Sequence, residues 1–249
     1  MFSRRSPEKK KLPVCVVVGL GNKGIGDHCA KKWAKEGYAV AMLARRRENL
    51  EALEKEIPES RGYKCDATCP EAVTETMDNI ERDMGPVEVC IYNAGLGYFK
   101  PFEETSFEDF ENSWRAGPAG LFCFAKAVIP KMAGRGAGTF GVTGATASWR
   151  GVKSTPAFAS AKFGVRALSQ SLAKTYGPKG VHVFHVVIDG VVDQPRTRAW
   201  FPKEKPDNEF LDPATIADTY WSVASQDKRC WTFETNVCPA SRMFDMLTI

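Results

Sequence analysis

Short apolar runs alternate along the chain with longer stretches in which apolar side chains return at helical spacing. The runs predict strands near 13–19, 39–44, 61–65, 87–92, 138–144, 181–188 and 230–235. The helical spacing predicts helices near 24–37, 47–57, 70–83, 106–132, 156–177 and 213–225. The first strand, Val14-Cys15-Val16-Val17-Val18, is apolar at every position. A strand has that character when helices cover both faces of a parallel sheet. The βαβαβ order therefore predicts one α/β domain, a doubly wound, seven-stranded parallel sheet with helices on both faces and ligands at the carboxyl ends of its strands.

Composition narrows this picture. With 249 residues, 43% of them hydrophobic, and a mean hydropathy of −0.29, the chain can bury one large core. No apolar run approaches the ~18–20 residues of a membrane helix. The stretch Leu12–Leu20 follows a basic tail, as a signal peptide would, but it enters a glycine turn without a small-residue cleavage site, so a first strand is expected. The net charge of +4 arises within residues 1–11, where Arg4, Arg5, Lys9, Lys10 and Lys11 face only Glu8. The remaining body is neutral, which argues against nucleic-acid binding. The tail reads as a solvated, disordered end, with a targeting or membrane-surface signal as the alternative. Eight cysteines show no paired CxxC spacing and read as free thiols in a reducing cytosol. Three scattered histidines, His28, His182 and His185, do not make a zinc site, and no metal is expected.

The first strand ends in Gly19-Leu20-Gly21-Asn22-Lys23-Gly24-Ile25-Gly26 and leads into a helix beginning at Asp27. Glycines in a strand–turn–helix context let the backbone approach a pyrophosphate at the helix N-terminus, the hallmark of a Rossmann fold. The second strand ends at Ala44, followed by Arg45, Arg46 and Arg47. An NAD site usually places Asp or Glu there for the ribose 2′-hydroxyl. A guanidinium suits a 2′-phosphate instead, with Lys23 as a second cation, so NADP(H) is expected with Arg45 first and Arg46 beside it. The alternative is a solvated charge run at a helix start.

Cys65-Asp66-Ala67 follows the third strand and Tyr92-Asn93-Ala94-Gly95 the fourth. Together with the glycine turn, these resemble the short-chain dehydrogenase/reductase family over roughly residues 12–195. Asn22-Lys23-Gly24-Ile25-Gly26 is similar to the turn of its NADPH-using carbonyl reductases. The resemblance implies that Asp66, next to Ala67, meets the adenine amino group, and that Asn93, Ala94 and Gly95 shape the cofactor cleft and brace the sheet. Taken singly, each also fits a plain turn or loop.

The family's reaction uses an Asn on the long helix, a Ser after the fifth strand, and Tyr-x-x-x-Lys. Here the last motif reads Phe158-Ala159-Ser160-Ala161-Lys162, the serine position falls on Ala145, and the Asn position falls on Gly117. Only Lys162 survives, and the resemblance implies that it also bonds the nicotinamide ribose; an exposed helix lysine is the alternative. Phenylalanine exchanges no proton, and alanine stabilises no alkoxide, so each loss costs ~10²–10⁴ in rate. Pro118 removes a helix hydrogen bond and predicts a kink. Compensating groups are Asp189, in Ile188-Asp189-Gly190 where the family has Pro-Gly, and Thr146 and Ser148 just past Ala145. Each of these also reads as a turn or capping residue. Gly190 is placed beside the cofactor on the same alignment. His182 and His185 read as packed strand side chains.

The domain expectation is thus a tail over 1–11 and an NADP(H)-binding domain over 12–249. The segment 189–213 reads as a substrate-side loop, either a lid or a plain surface loop. Trp149, Arg150, Trp221 and Trp231 are further candidates for the substrate surface. Two functions compete. One is a cytoplasmic NADP(H)-dependent oxidoreductase acting on a small carbonyl or activated C=C substrate by a nonstandard proton route. The other is a catalytically inactive NADP(H)-binding sensor or scaffold, and a structural subunit with a vestigial site ranks below both. A homodimer or homotetramer through the helices near 106–132 and 156–177 is implied by the family alone.

Overall fold

The computed structural model describes residues 11–21 and 23–242; the tail over 1–10 and Asn22 lie outside the described residues. Among the described residues nine strands run in chain order: β1 Val14–Val18, β2 Ala39–Ala44, β3 Ser60–Lys64, β4 Val87–Tyr92, β5 Gly138–Thr143, β6 Val181–Ile188, β7 Val191–Val192, β8 Phe210–Leu211 and β9 Glu234–Val237. The helices are α1 Ile25–Lys35, α2 Arg47–Glu56, α3 Pro70–Asp83, α4 Phe107–Trp114, α5 Gly120–Arg135, α6 Pro156–Tyr176, α7 Pro195–Arg198 and α8 Pro213–Ala224. Seven of the strands form one parallel sheet in the order β3-β2-β1-β4-β5-β6-β9.

The all-apolar strands sit at the centre because both of their faces are covered. On one face α3, α5 and α6 bring Met77, Ile80, Phe124, Ile129 and Val165 against Val16, Cys90 and Val142. On the other, α1, α2 and α8 bring Trp33, Leu50, Ile216 and Tyr220 against Cys15, Val17 and Met42. Each such large side chain contributes ~1.5–3 kcal/mol on burial. β1 pairs with β2 on one side and β4 on the other, so the chain changes direction there and leaves a crevice at the carboxyl ends of the strands.

Three expectations need correction. The helix expected over 106–132 is two helices joined by a wide turn at Arg115–Ala119, and its second half runs on to Arg135. Pro118 cannot donate there, and Gly117 leaves the helical region at φ −88°, ψ −106°. The Tyr92 hydroxyl donates to the carbonyls of Ala116 and Gly117, at 2.7 and 3.3 Å, and compensates the break. The strand expected at 230–235 is β9, Glu234–Val237, because Trp231 is occupied in a stack on His182 and pairing with β6 starts only at His185. The 189–213 segment is more than a plain loop: β7 and β8 pair in parallel, and α7 lies between them.

Candidate functional site

The crevice is walled by the glycine turn, the ends of β2, β3 and β4, and the α7 region. At its floor Gly19 has φ +88°, and a Cβ there would lie 2.7 Å from the Ala94 nitrogen, so only glycine fits. Asp27 organises the turn. Its buried carboxylate accepts the N–H of Gly21 at 2.6 Å and of Lys23 at 2.8 Å. Lys23 itself holds φ +57° and points to solvent. The first amides of α1, on Ile25 and Gly26, have no intrahelical acceptor, and both residues line the crevice. Free amides at a helix N-terminus can seat an anion.

At the β2–β3 end the three arginines separate. Arg47 turns onto α2 and β3, donating to the Gly62 carbonyl at 2.7 Å and to Glu51 and Glu54. Arg45 and Arg46 line the crevice and have no carboxylate partner among the described residues. Asp66 and Ala67 form the neighbouring wall, and Asp66 Oδ1 accepts from the amide and hydroxyl of Thr68.

In the middle, Asn93 ties three strands together. Its Nδ2 donates to the Gly19 carbonyl at 2.8 Å, and its Oδ1 accepts the Thr143 hydroxyl at 2.9 Å. Because that hydroxyl is spent on Asn93, the Tyr220 hydroxyl must donate to Thr143 Oγ1, at 2.6 Å. Ala94 and Gly95 continue the wall.

Beyond Gly95, α6 presents Lys162. Its Nζ donates to the Thr143 carbonyl at 2.7 Å, stands 5.8 Å from the Phe158 ring centre, and lies 3.7 Å from where a Gly95 Cβ would be. It is buried, not an exposed helix lysine, and burial lowers its pKa to about 8.

The other proposed proton carriers are placed differently from expectation. Ser148 is fully buried and its Oγ accepts the Ala145 N–H at 3.2 Å, so it caps its own turn and does not face the crevice. Thr146 donates its hydroxyl to Asp189 Oδ1. Asp189 is 3% exposed, with its N–H on the Val237 carbonyl at 2.9 Å, so it stands inside the fold and not at an open mouth. Gly190 packs against Leu211 and Pro239, off the crevice wall. Trp221 stacks edge-on with Trp33 and Tyr38 beneath α1, and Trp231 stacks on His182 at the amino end of β6. Neither tryptophan reaches the site.

Four residues escaped the sequence reading. Asp27 is one. Gln194 brings its Oε1 to 2.5 Å from where a Gly24 Cβ would be, so the amide lies directly over the glycine turn at the start of α1. Arg196 lines the same wall. Glu234, at the start of β9, accepts from Arg166 Nε at 2.6 Å, Arg166 Nη2 at 2.8 Å, Trp149 Nε1 at 3.1 Å and His185 Nδ1 at 3.0 Å. Those bonds lock the loop after β5 to α6 and hold Trp149 away from the crevice. Asp27 works through neighbours in its own turn, whereas the contacts that matter for Gln194, Arg196 and Glu234 lie far along the chain, where local spacing carries no signal.

His182 and His185 are packed strand side chains, as expected from their positions. Burial outweighs the Glu234 charge, which is shared with Arg166, and lowers the His185 pKa to about 4.

Comparison with known proteins gives the same architecture. A family profile described as short chain dehydrogenase matches residues 13–205. The D-threitol dehydrogenase of Mycolicibacterium smegmatis is 27% identical over 223 residues, covering 85% of each chain. The crystal structure of a short-chain dehydrogenase from Rhodopseudomonas palustris is 34% identical with a TM-score of 0.79, covering 91% of this chain and 98% of that one. A metagenomic short-chain oxidoreductase solved in complex with NADP is 25% identical, also with a TM-score of 0.79, covering 92% and 97%. With the profile spanning most of the chain and the sheet order, glycine turn and Asn93 brace all in place, this protein belongs to the short-chain dehydrogenase/reductase family of oxidoreductases.

Proposed function

We propose that the chain is an NADP(H)-dependent oxidoreductase that moves hydride to or from a carbonyl or activated C=C bond of a small molecule, by a proton route that lacks the family's tyrosine and serine. The supporting observation is that Arg45 and Arg46, free of carboxylate partners among the described residues, stand at one end of a continuous crevice whose other end borders Lys162. The residues fit the dinucleotide. A tight glycine cradle and helix amides suit a pyrophosphate, and two guanidinium groups suit a 2′-phosphate. Asp66 and Ala67 would take the adenine, and Gly95 with Lys162 the nicotinamide ribose.

NADPH, when bound, supplies the hydride. The chain's own work is to orient and to hold a proton. Phe158 and Ala145, at the positions of the family's tyrosine and serine, do neither. Lys162 keeps a transferable proton at Nζ near neutral pH because burial has lowered its pKa. Thr146, with its hydroxyl held by Asp189, is left to accept from a substrate donor. Ser148 has no part in the route.

A second reading, a catalytically silent NADP(H)-binding sensor or scaffold, draws on one observation: the Phe158 ring packs on Phe99 at 5.2 Å. An aromatic contact there takes the place of a proton donor. Thermal shift with NADPH and NADH tests the shared part. Selective stabilisation by NADPH is expected, and no shift with either cofactor refutes both readings. Single-turnover oxidation of bound NADPH against enones and carbonyls then separates enzyme from binder.

The outer faces of α4, α5 and α6 expose Phe107, Phe110, Trp114, Phe122 and Phe163, and a homodimer or homotetramer would bury them. Free thiols throughout fit a reducing cytosol. Among the described residues no helix is long and apolar enough to cross a membrane.

A further inference from the structure

At the Lys162 end of the crevice three aromatic rings meet. Trp200, just after α7, stands edge-on to Phe99 with ring centres 5.7 Å apart, and Phe99 packs on Phe158 at 5.2 Å. Phe99 and Trp200 remain 52% and 53% exposed, so this contact leaves their outer faces to water. Contiguous exposed rings beside a cleft mark a binding surface, and ring faces take a flat partner best.

Arg196 lies alongside, its guanidinium 5.8 Å from the Trp200 ring centre, and it lines the crevice. Among the described residues no carboxylate pairs with it. The contrast two positions later is sharp, since Arg198 bonds both oxygens of Asp193 and also reaches Asp207. Lys162 adds a second cation beneath Phe158. Among the described residues that line the crevice Asp66 is the single acid, at the opposite, β3 end, and the buried Asp189 carboxylate is taken by the Thr146 hydroxyl. The potential at this end therefore favours an anion, and the surface beside it favours a flat apolar body.

We propose that the substrate is a planar, apolar organic acid, its flat body against Phe99 and Trp200 and its carboxylate on Arg196. This rests on the functional reading above and narrows the substrate class for the same site.

The test is calorimetric titration of the full chain saturated with NADP⁺, using trans-cinnamic acid and its primary amide as probes. The acid should bind about tenfold more tightly than the amide, the value of one charge-assisted contact of ~1.4 kcal/mol. Arg196→Ala should abolish that preference, while Trp200→Ala should weaken both probes alike. Equal binding of acid and amide, or binding of neither by a chain that does bind NADP⁺, overturns the proposal and leaves the cofactor reading intact. If Arg196→Ala weakens NADP⁺ but keeps the preference for the acid, Arg196 belongs to the cofactor and the proposal is wrong. Failure of NADP⁺ itself to bind refutes the underlying function instead.

Discussion

Lys162 donates from its buried ammonium to the main-chain carbonyl of Thr143 at 2.7 Å, linking α6 to the carboxyl end of β5. No carboxylate shares that ammonium among the described residues, so one neutral carbonyl holds a charge that burial opposes. Such a group is retained at a cost in stability.

That cost is measurable. The folded pKa is lowered to about 8 from 10.5, so the unfolded chain binds more protons between those values and stability rises with pH across that window. Lys162→Met should raise stability at pH 7 by ~1–3 kcal/mol and flatten the rise between pH 8 and 10.5, read from urea unfolding at several pH values. NADPH affinity should fall in the same variant. A variant less stable than the parent at pH 7 would contradict the assignment.

Arg45→Ala should weaken NADPH binding by about 10- to 100-fold and leave NADH binding almost unchanged, since only NADPH carries the 2′-phosphate. Arg47→Ala serves as the contrast. Its guanidinium is committed to Gly62, Glu51 and Glu54, so it should cost stability without altering cofactor preference. Equal losses for both cofactors in Arg45→Ala would remove the phosphate assignment.

His185 predicts an acid limb. Its pKa falls to about 4 in the fold from 6.5, so the unfolded chain takes up a proton first and stability is lost as pH drops from 6.5 towards 4. The full loss is at most about 3 kcal/mol. His185→Gln should keep a donor for Glu234 and reduce the slope over that interval; an unchanged slope would show that His182 or the carboxylates carry it.

Asp27→Ala should leave the N–H groups of Gly21 and Lys23 without their acceptor and cost ~1–3 kcal/mol. NADPH affinity should fall with it, because the turn that forms the anion seat loses its anchor. Asp27→Asn should recover part of both, and a variant that keeps full affinity would show that the glycines alone hold the turn.

The central strands were legible because β1 and β2 are covered on both faces, and burial on both faces writes an uninterrupted apolar run. The break at Gly117–Pro118 was legible for a covalent reason, the missing N–H of proline. β9 was misplaced by several residues because Trp231 looks like a strand residue but spends its ring on His182, a partner far away in sequence. The same distance hides Trp221, which serves the packing of α1 against α8, whereas Ser148 takes the capping role, its partner Ala145 being three residues away.

What the sequence determined alone is the sheet, the glycine cradle and the presence of cations after β2. These follow from local periodicity, from backbone freedom at glycine, and from charge, all properties of neighbouring residues. Which arginine stays free, that Asp189 is consumed by Thr146, and that Gln194 and Arg196 reach the crevice were decided only by the tertiary structure. A side chain's chemistry depends on who satisfies its hydrogen bonds and charge, and those partners are brought together by the fold and not by the spacing of residues along the chain.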